Sequence, residues 1–358
     1  MKSVRFHAAR DVRVEDVPPP AQDRLKPNQV LVRNRFCGIC GTDLHEYIAG
    51  PIFIPREPHP YTGASGPQTL GHEFGGEVIA TGAEVSHIKP GDRVSIQPLI
   101  APRDDYFGKL GLHQLSDQLG LVGLSWPWGG MSEYSVLNDY NVFRMPDAVT
   151  DEQSALIEPG AVAVYAIDRS GLRAGNSALI TGAGPIGALT MLAARAAGAS
   201  RIFISDTNDN RLRLMREVLP DCITINPAKE NLVDAIRDQT EGHVGVDVAL
   251  ECVGNNGALT DCINAVRRQG VVVQVGLHVK PATIDGFTVT FKDIELRGSW
   301  TYPTQVWPRI ASMVESGIFP VEKVVTKRIR LDDVVGQGFE ALLDPAATQL
   351  KILIDIRN

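Results

Sequence analysis

The stretch Gly182-Ala183-Gly184-Pro185-Ile186-Gly187 constrains this chain more than any other. It follows Ser177-Ala178-Leu179-Ile180-Thr181, an apolar run with the length of a buried strand. It precedes a run rich in Ala, Leu and Met, Ala188 to Ala197, which Gly198 stops as a helix. A second strand, Arg201-Ile202-Phe203-Ile204-Ser205, ends at Asp206, 19 positions after Gly187 (206 − 187). In this context each glycine has a task. Gly182 allows the tight turn, Gly184 lets the backbone approach a pyrophosphate, and Gly187 lets the helix pack closely. The helix N-terminus turns its positive dipole end toward phosphates. Asp206 is expected to accept hydrogen bonds from the adenosine ribose and to repel a 2′-phosphate, which favours NAD over NADP. Pro185 and Ile186 between the glycines, and Arg211 downstream, belong to the same expected cofactor set. A plain Gly-rich turn is the bland alternative, and the surrounding strand, helix and acid count against it.

The pattern continues beyond Asp206. Strand-like Val246 to Leu250 and Gly270 to Gly276 alternate with helical stretches at Asn210 to Leu219 and Gly257 to Arg268. Strands alternating with helices predict a doubly wound parallel sheet, a Rossmann domain over residues 161–297. Upstream, Val12 to Val17, Gln29 to Arg35, Gly75 to Ala80 and Asp92 to Ile96 read as strands separated by Gly/Pro turns. The region to about Pro159 therefore reads as mainly β, a catalytic domain over 1–160. Residues 50–67 are rich in Gly and Pro yet carry Ile52, Phe53, Ile54 and Tyr61, so a packed loop is expected. Residues 298–358 are expected to return to the first domain, with a late strand from Leu350 to Ile356.

Composition excludes some classes. The chain has 358 residues, enough for two domains, and a formal net charge of −7 with no basic block, so nucleic acid is not an expected partner. No apolar run approaches the ~20 residues that span a bilayer, and no signal-peptide core follows Met1. Five cysteines, an odd number, do not form a disulfide framework; a reduced, cytoplasmic setting is expected.

Chemistry enters at Cys37-Gly38-Ile39-Cys40-Gly41-Thr42-Asp43-Leu44-His45 and at Gly71-His72-Glu73. A thiolate, an imidazole and a carboxylate are ligand types that hold zinc, and a catalytic zinc needs three of them and one open position. Cys40, His72 and one carboxylate meet that count. Thr42 is placed to take a proton from whatever fills the open position, and His45 to pass it to solvent. Against this stands the ordinary role of a free Cys as a small buried hydrophobe.

Taken together, Gly38 to His45, Gly71-His72-Glu73-Phe74-Gly75-Gly76-Glu77, Gly91-Asp92-Arg93-Val94, Glu158-Pro159 and the glycine motif resemble the zinc-dependent medium-chain alcohol/polyol dehydrogenases. Within that family, His45-Glu46-Tyr47, Gly50 to Pro55 and Thr69 to Phe74 look most like 2,3-butanediol dehydrogenases, with sorbitol dehydrogenases next. The resemblance implies a GroES-like, β-rich catalytic domain beside the Rossmann domain. It implies that Cys40 rather than Cys37 is the zinc thiolate, that His72 is the imidazole ligand, and that Glu73 ligates or exchanges with water. Glu158 would stand at the metal as ligand or as holder of the bound water, and Thr42 and His45 would form the proton relay. The implied activity is NAD-dependent oxidation of a vicinal diol to a hydroxyketone, and the reverse, by a homodimer or homotetramer. A sugar-alcohol dehydrogenase is the enzyme alternative; a non-catalytic NAD-binding redox sensor is the alternative from another class.

Many relatives of this kind hold a second, structural zinc with four cysteines. The corresponding places here are Pro102, Asp105, Gly108 and Ser116, and no cysteine lies between Cys40 and Cys222. One catalytic zinc and no structural zinc is expected. Tyr106, Phe107, Leu110, Leu112 and Leu115 are the expected apolar anchors of that lobe, with an exposed loop as the alternative.

Overall fold

In the computed structural model, which describes residues 1–344 and 348–357, strand Ser177–Thr181 lies at the centre of a six-stranded parallel sheet. The strands run, edge to edge, Ile223–Ile225, Arg201–Ser205, Ser177–Thr181, Val246–Glu251, Val266–Gln274 and Glu295–Gly298. Numbered along the chain, this is the order 3-2-1-4-5-6 of a doubly wound dinucleotide fold. Leu179, Ile180, Phe203 and Ile204 are fully buried, as the faces of a parallel sheet covered by helices must be.

The chain divides into two units. The second, Pro159–Tyr302 with Ile318–Val324, holds this sheet. The first comprises Met1–Glu158, Pro303–Gly317 and Val325–Asn358. Its main sheet runs Val142–Arg144, Arg93–Ile96, Glu73–Thr81, Gln29–Gly38, Lys351–Asp355 and Val325–Arg330, with Tyr134–Asn138 also pairing to Gln29–Gly38. Strand Gln29–Gly38 is the hub. It pairs antiparallel with Glu73–Thr81, placing Gly38 opposite Glu73, and with Lys351–Asp355, placing Gly38 opposite Leu353. Residues far apart in sequence thereby meet at one strand end.

Two readings are corrected, and two strands go unread in the sequence. Residues approaching Pro159 are not β: helix Asp151–Ser170 begins there and carries Pro159 inside it. Proline removes a backbone donor and usually ends a helix, so the sequence signal is misleading at that point. Strands Ile223–Ile225 and Glu295–Gly298 carry no alternation long enough to read. Of the expected apolar anchors of the lobe around 100–120, Phe107 and Leu112 are half-buried, while Tyr106, Leu110 and Leu115 are exposed. Polar contacts tie it as well. The Asp105 carboxylate caps the turn Tyr106–Lys109 by accepting from Gly108 N–H, and accepts from Ser116 Oγ at 2.6 Å. Gln305 donates to the Gly111 carbonyl at 3.0 Å, and Arg103 lies over the Tyr140 ring.

The loop at 50–67 is packed, as its composition predicts. The buried Glu46 carboxylate accepts from the consecutive N–H groups of Ile52, Phe53 and Ile54, and Ile54 is buried. Among the described residues, no helix is long and apolar enough to cross a membrane.

Candidate active site

Helix Gly41–Ala49 starts directly after Cys40, its N-cap residue. Asp43, in the first turn, returns its Oδ2 to the Cys40 N–H at 2.9 Å. An acid there also complements the helix dipole. The same helix thus carries the thiol at its mouth, Thr42 and Asp43 in its first turn, and His45 beyond. From the other side, Gly71 takes φ +97°, a conformation that side chains disfavour, just before His72 and the strand that begins at Glu73. A Cβ at Gly71 would lie 2.7 Å from the Cys37 sulfur. Cys37 is fully buried and burial pushes its thiol pKa well up, so it fills core.

One atom each from Cys40, His72 and Glu73 lies within 4.8 Å of the others, a group able to hold a metal ion. Cys40 is half-buried, while His72 and Glu73 are buried. Gly38 leaves room for the carboxylate: a Cβ there would lie 2.2 Å from Glu73 Oε2. His72 Nδ1 faces Asp43 Oδ1 at 3.6 Å, too long for a hydrogen bond, and both atoms lack a partner. Burial would lower the His72 pKa, yet Asp43, Cys40 and Glu158 beside it raise it well above the ordinary imidazole value. Burial raises the Asp43 pKa, against the influence of His72. A cluster that draws a proton onto a buried imidazole is short of positive charge. A thiolate, an imidazole and a carboxylate around that shortfall match the donor set of a catalytic zinc, with its nearby carboxylate turned to the ligating His.

Thr42 is half-buried, with Oγ1 3.8 Å from Cys40 Sγ. His45 is exposed. Glu158 is buried on helix Asp151–Ser170 and lies outside the three-residue group, though its charge raises the His72 and Lys351 pKa values. Lys351 is the residue that sequence reading missed. It is 1% exposed, and its Nζ donates to both Glu73 oxygens, at 2.8 and 2.6 Å, and to the Ile39 carbonyl at 3.0 Å. The signal was a single cation in the otherwise apolar run Leu350 to Ile354, since a lysine is almost never fully buried unless paired.

In the second unit, the glycine turn has the expected form. Gly182 has φ +90°, and a Cβ at Gly187 would sit 1.8 Å from the Gly182 carbonyl oxygen. A Cβ at Gly184 would meet nothing within 4 Å, which leaves the approach to the turn clear. Gly184 is the N-cap of helix Pro185–Ala196, with Pro185 at its start and Ile186 half-buried behind it. Asp206 reaches back to this turn, accepting from Ala183 N–H at 2.9 Å and from Asn208 N–H at 2.8 Å. Arg211 Nη1 stands 3.8 Å from Asp206 Oδ2.

A ligand group for zinc in a β-rich unit, and a glycine turn in a doubly wound sheet, define a zinc-binding dehydrogenase, and the chain belongs to that family. Residues 26–147 match the alcohol dehydrogenase GroES-like domain and residues 185–316 the zinc-binding dehydrogenase domain. The chain is similar to the (R,R)-butanediol dehydrogenase of Bacillus subtilis, 39% identical over 99% of both chains. The crystal structure of the 2R,3R-butanediol dehydrogenase from that organism superposes with a TM-score of 0.92, at 38% identity over 99% of each chain. Human sorbitol dehydrogenase is 33% identical over 94% of this chain and 91% of its own. A zinc-binding dehydrogenase from Sinorhizobium meliloti, bound to NADP, matches with a TM-score of 0.86, at 30% identity over 99% of each chain.

Proposed function

We propose that this dehydrogenase interconverts a vicinal diol and a hydroxyketone, using zinc held by Cys40, His72 and Glu73 and NAD held at the Gly182–Gly187 turn. The observation that carries the reading is the Cys40, His72 and Glu73 group, whose ligand atoms lie within 4.8 Å of one another. The full-length similarity to butanediol dehydrogenases supports the diol.

Zinc at that group supplies Lewis acidity, which lowers the pKa of an alcohol. The chain's own residues do the rest. Asp43, whose Oδ1 faces His72 Nδ1 at 3.6 Å, acts on the imidazole through its charge. Thr42, beside the Cys40 sulfur, takes the substrate's hydroxyl proton, and His45, exposed on the same helix, delivers it to solvent. Glu158 adds negative charge beside His72 and helps hold the polar occupant of the open position. In the second unit, Gly184 and the start of helix Pro185–Ala196 would hold the pyrophosphate of NAD, flanked by Pro185 and Ile186, and the bound cofactor would supply a hydride acceptor. Asp206 takes the ribose hydroxyls, exchanging some of its present bonds, with Arg211 beside it. A carboxylate in that place disfavours the 2′-phosphate of NADP.

The chain acts with copies of itself, as a homodimer or homotetramer. The exposed Phe287 and Phe291, stacked at 5.7 Å close in sequence to the outer strand Glu295–Gly298, support an apolar self-contact. Five free thiols support a reducing, cytoplasmic setting.

The test is a panel of stereochemically resolved diols and sugar alcohols, ranked by kcat/KM with NAD and NADP. The reading expects a vicinal diol with NAD to rank first. A sugar alcohol at the head would move the chain to the sorbitol dehydrogenase side, and no turnover with any alcohol, at full zinc content, would sink the reading.

A further inference from the structure

Lys351 satisfies all of its donors inside the protein. An ammonium has three, and here they go to Glu73 Oε1, Glu73 Oε2 and the Ile39 carbonyl. The strand that carries it is buried on either side, with Ile352, Leu353 and Ile354 all inaccessible. The Glu73 carboxylate therefore has a fixed seat. Lys351 donates a bond to each oxygen, and the Gly38 backbone lies where any side chain would collide with Oε2. Yet this same carboxylate belongs to the group with Cys40 and His72. A carboxylate with nothing behind it can give both oxygens to a metal and fill two positions. A catalytic zinc needs one position left open.

We propose that Lys351 is a positioning residue that restrains Glu73 to a single oxygen toward the metal, and so keeps the zinc site open. The proposal rests on the zinc reading above. Turning both Glu73 oxygens to the ion would break both bonds to Lys351 and leave a buried ammonium with one partner, the Ile39 carbonyl. That penalty holds the carboxylate in place. The last strand of the chain thus acts on the site through charge, without touching the substrate.

The experiment replaces Lys351 by Met, of similar length and no charge, and by Arg, which keeps the cation. Three measurements are made: zinc per chain, the rate at which zinc passes to a chromogenic chelator, and the visible spectrum of the cobalt(II)-substituted protein. Lys351→Met is expected to keep its zinc, release it more slowly than wild type, and show weaker cobalt absorption as the coordination number rises. Its kcat is expected to fall by about 10- to 100-fold, the usual cost of removing a partner of a metal ligand. Lys351→Arg is expected to restore the wild-type cobalt spectrum. A cobalt spectrum in Lys351→Met identical to wild type, or faster loss of zinc, would overturn the proposal and leave Lys351 a structural counter-charge. Where Lys351→Met does not fold, Lys351→Gln, which removes the charge and keeps two N–H donors in place of three, is expected to change the cobalt spectrum in the same direction by less. A wild-type protein that binds no zinc at all would instead defeat the reading of the site.

Discussion

The ligand group of the first unit is built from charged side chains, whereas the glycine turn of the second is built from backbone. Cys40, His72, Glu73, Asp43, Glu158 and Lys351 act on one another through charge, so the environment of each depends on the rest. The glycine turn needs side chains to be absent: a Cβ at Gly187 would meet a carbonyl oxygen at 1.8 Å. One region fails when a charge is removed, the other when an atom is added.

The sharpest way to break this contrast is at the ligands. Cys40→Ser or His72→Ala is expected to reduce activity to background and zinc from about one per chain toward zero, because a catalytic site holds its ion with only three protein ligands. Elemental analysis decides it, and a wild-type ratio near two, with one zinc surviving His72→Ala, would reveal a second site. Next come the glycines. Gly187→Ala is expected to cost about 1–3 kcal/mol of stability, as overpacking does, and to abolish NAD binding. Gly184→Ala, with open space around it, is expected to leave the melting temperature within a few degrees of wild type and still weaken NAD. Equal stability losses in the two variants would mean that the turn is not shaped by close packing.

Smaller effects sharpen the contrast further. Asp206→Ala is expected to weaken NAD and narrow the preference over NADP, measured as the ratio of kcat/KM values; equal efficiency of the wild type with both cofactors would defeat the role of Asp206. The smallest effect belongs to the lobe. Asp105→Ala removes a helix cap and the bond to Ser116, and is expected to cost about 0.5–2 kcal/mol. Zinc content is expected to stay unchanged, and a loss of metal in that variant would contradict the separation of lobe and ligand group.

Some parts of this molecule are easier to read from residues than others. Strands Ser177–Thr181 and Arg201–Ser205 stand out because a short apolar run bounded by turn residues has few other ways to be buried. Cys40 and His72 stand out because a thiol, an imidazole and the adjoining Glu73 carboxylate are together a donor set for zinc. Helix Asp151–Ser170 hides behind Pro159 and Gly160, where local preference is overruled by packing: Ala155, Leu156, Ile157, Ala161 and Ala163 are all fully buried. Lys351 leaves only a faint local trace, one cation in an apolar strand, and its partner Glu73 lies 278 positions away. The lobe misleads in the opposite sense. Its leucines suggest a core, yet Leu110 and Leu115 are exposed and Asp105, Ser116 and Gln305 supply polar ties.

The lobe has a consequence for how the protein is made. Its polar ties include a carboxylate, a hydroxyl and a carboxamide, all present as soon as the chain is synthesised. None of them waits for an ion or can be oxidised to a disulfide. The segment from 100 to 120 is therefore expected to settle while metal is scarce, and an oxidant reaching it finds no sulfur to attack. Metal starvation would then cost this protein its chemistry while sparing the architecture of that segment.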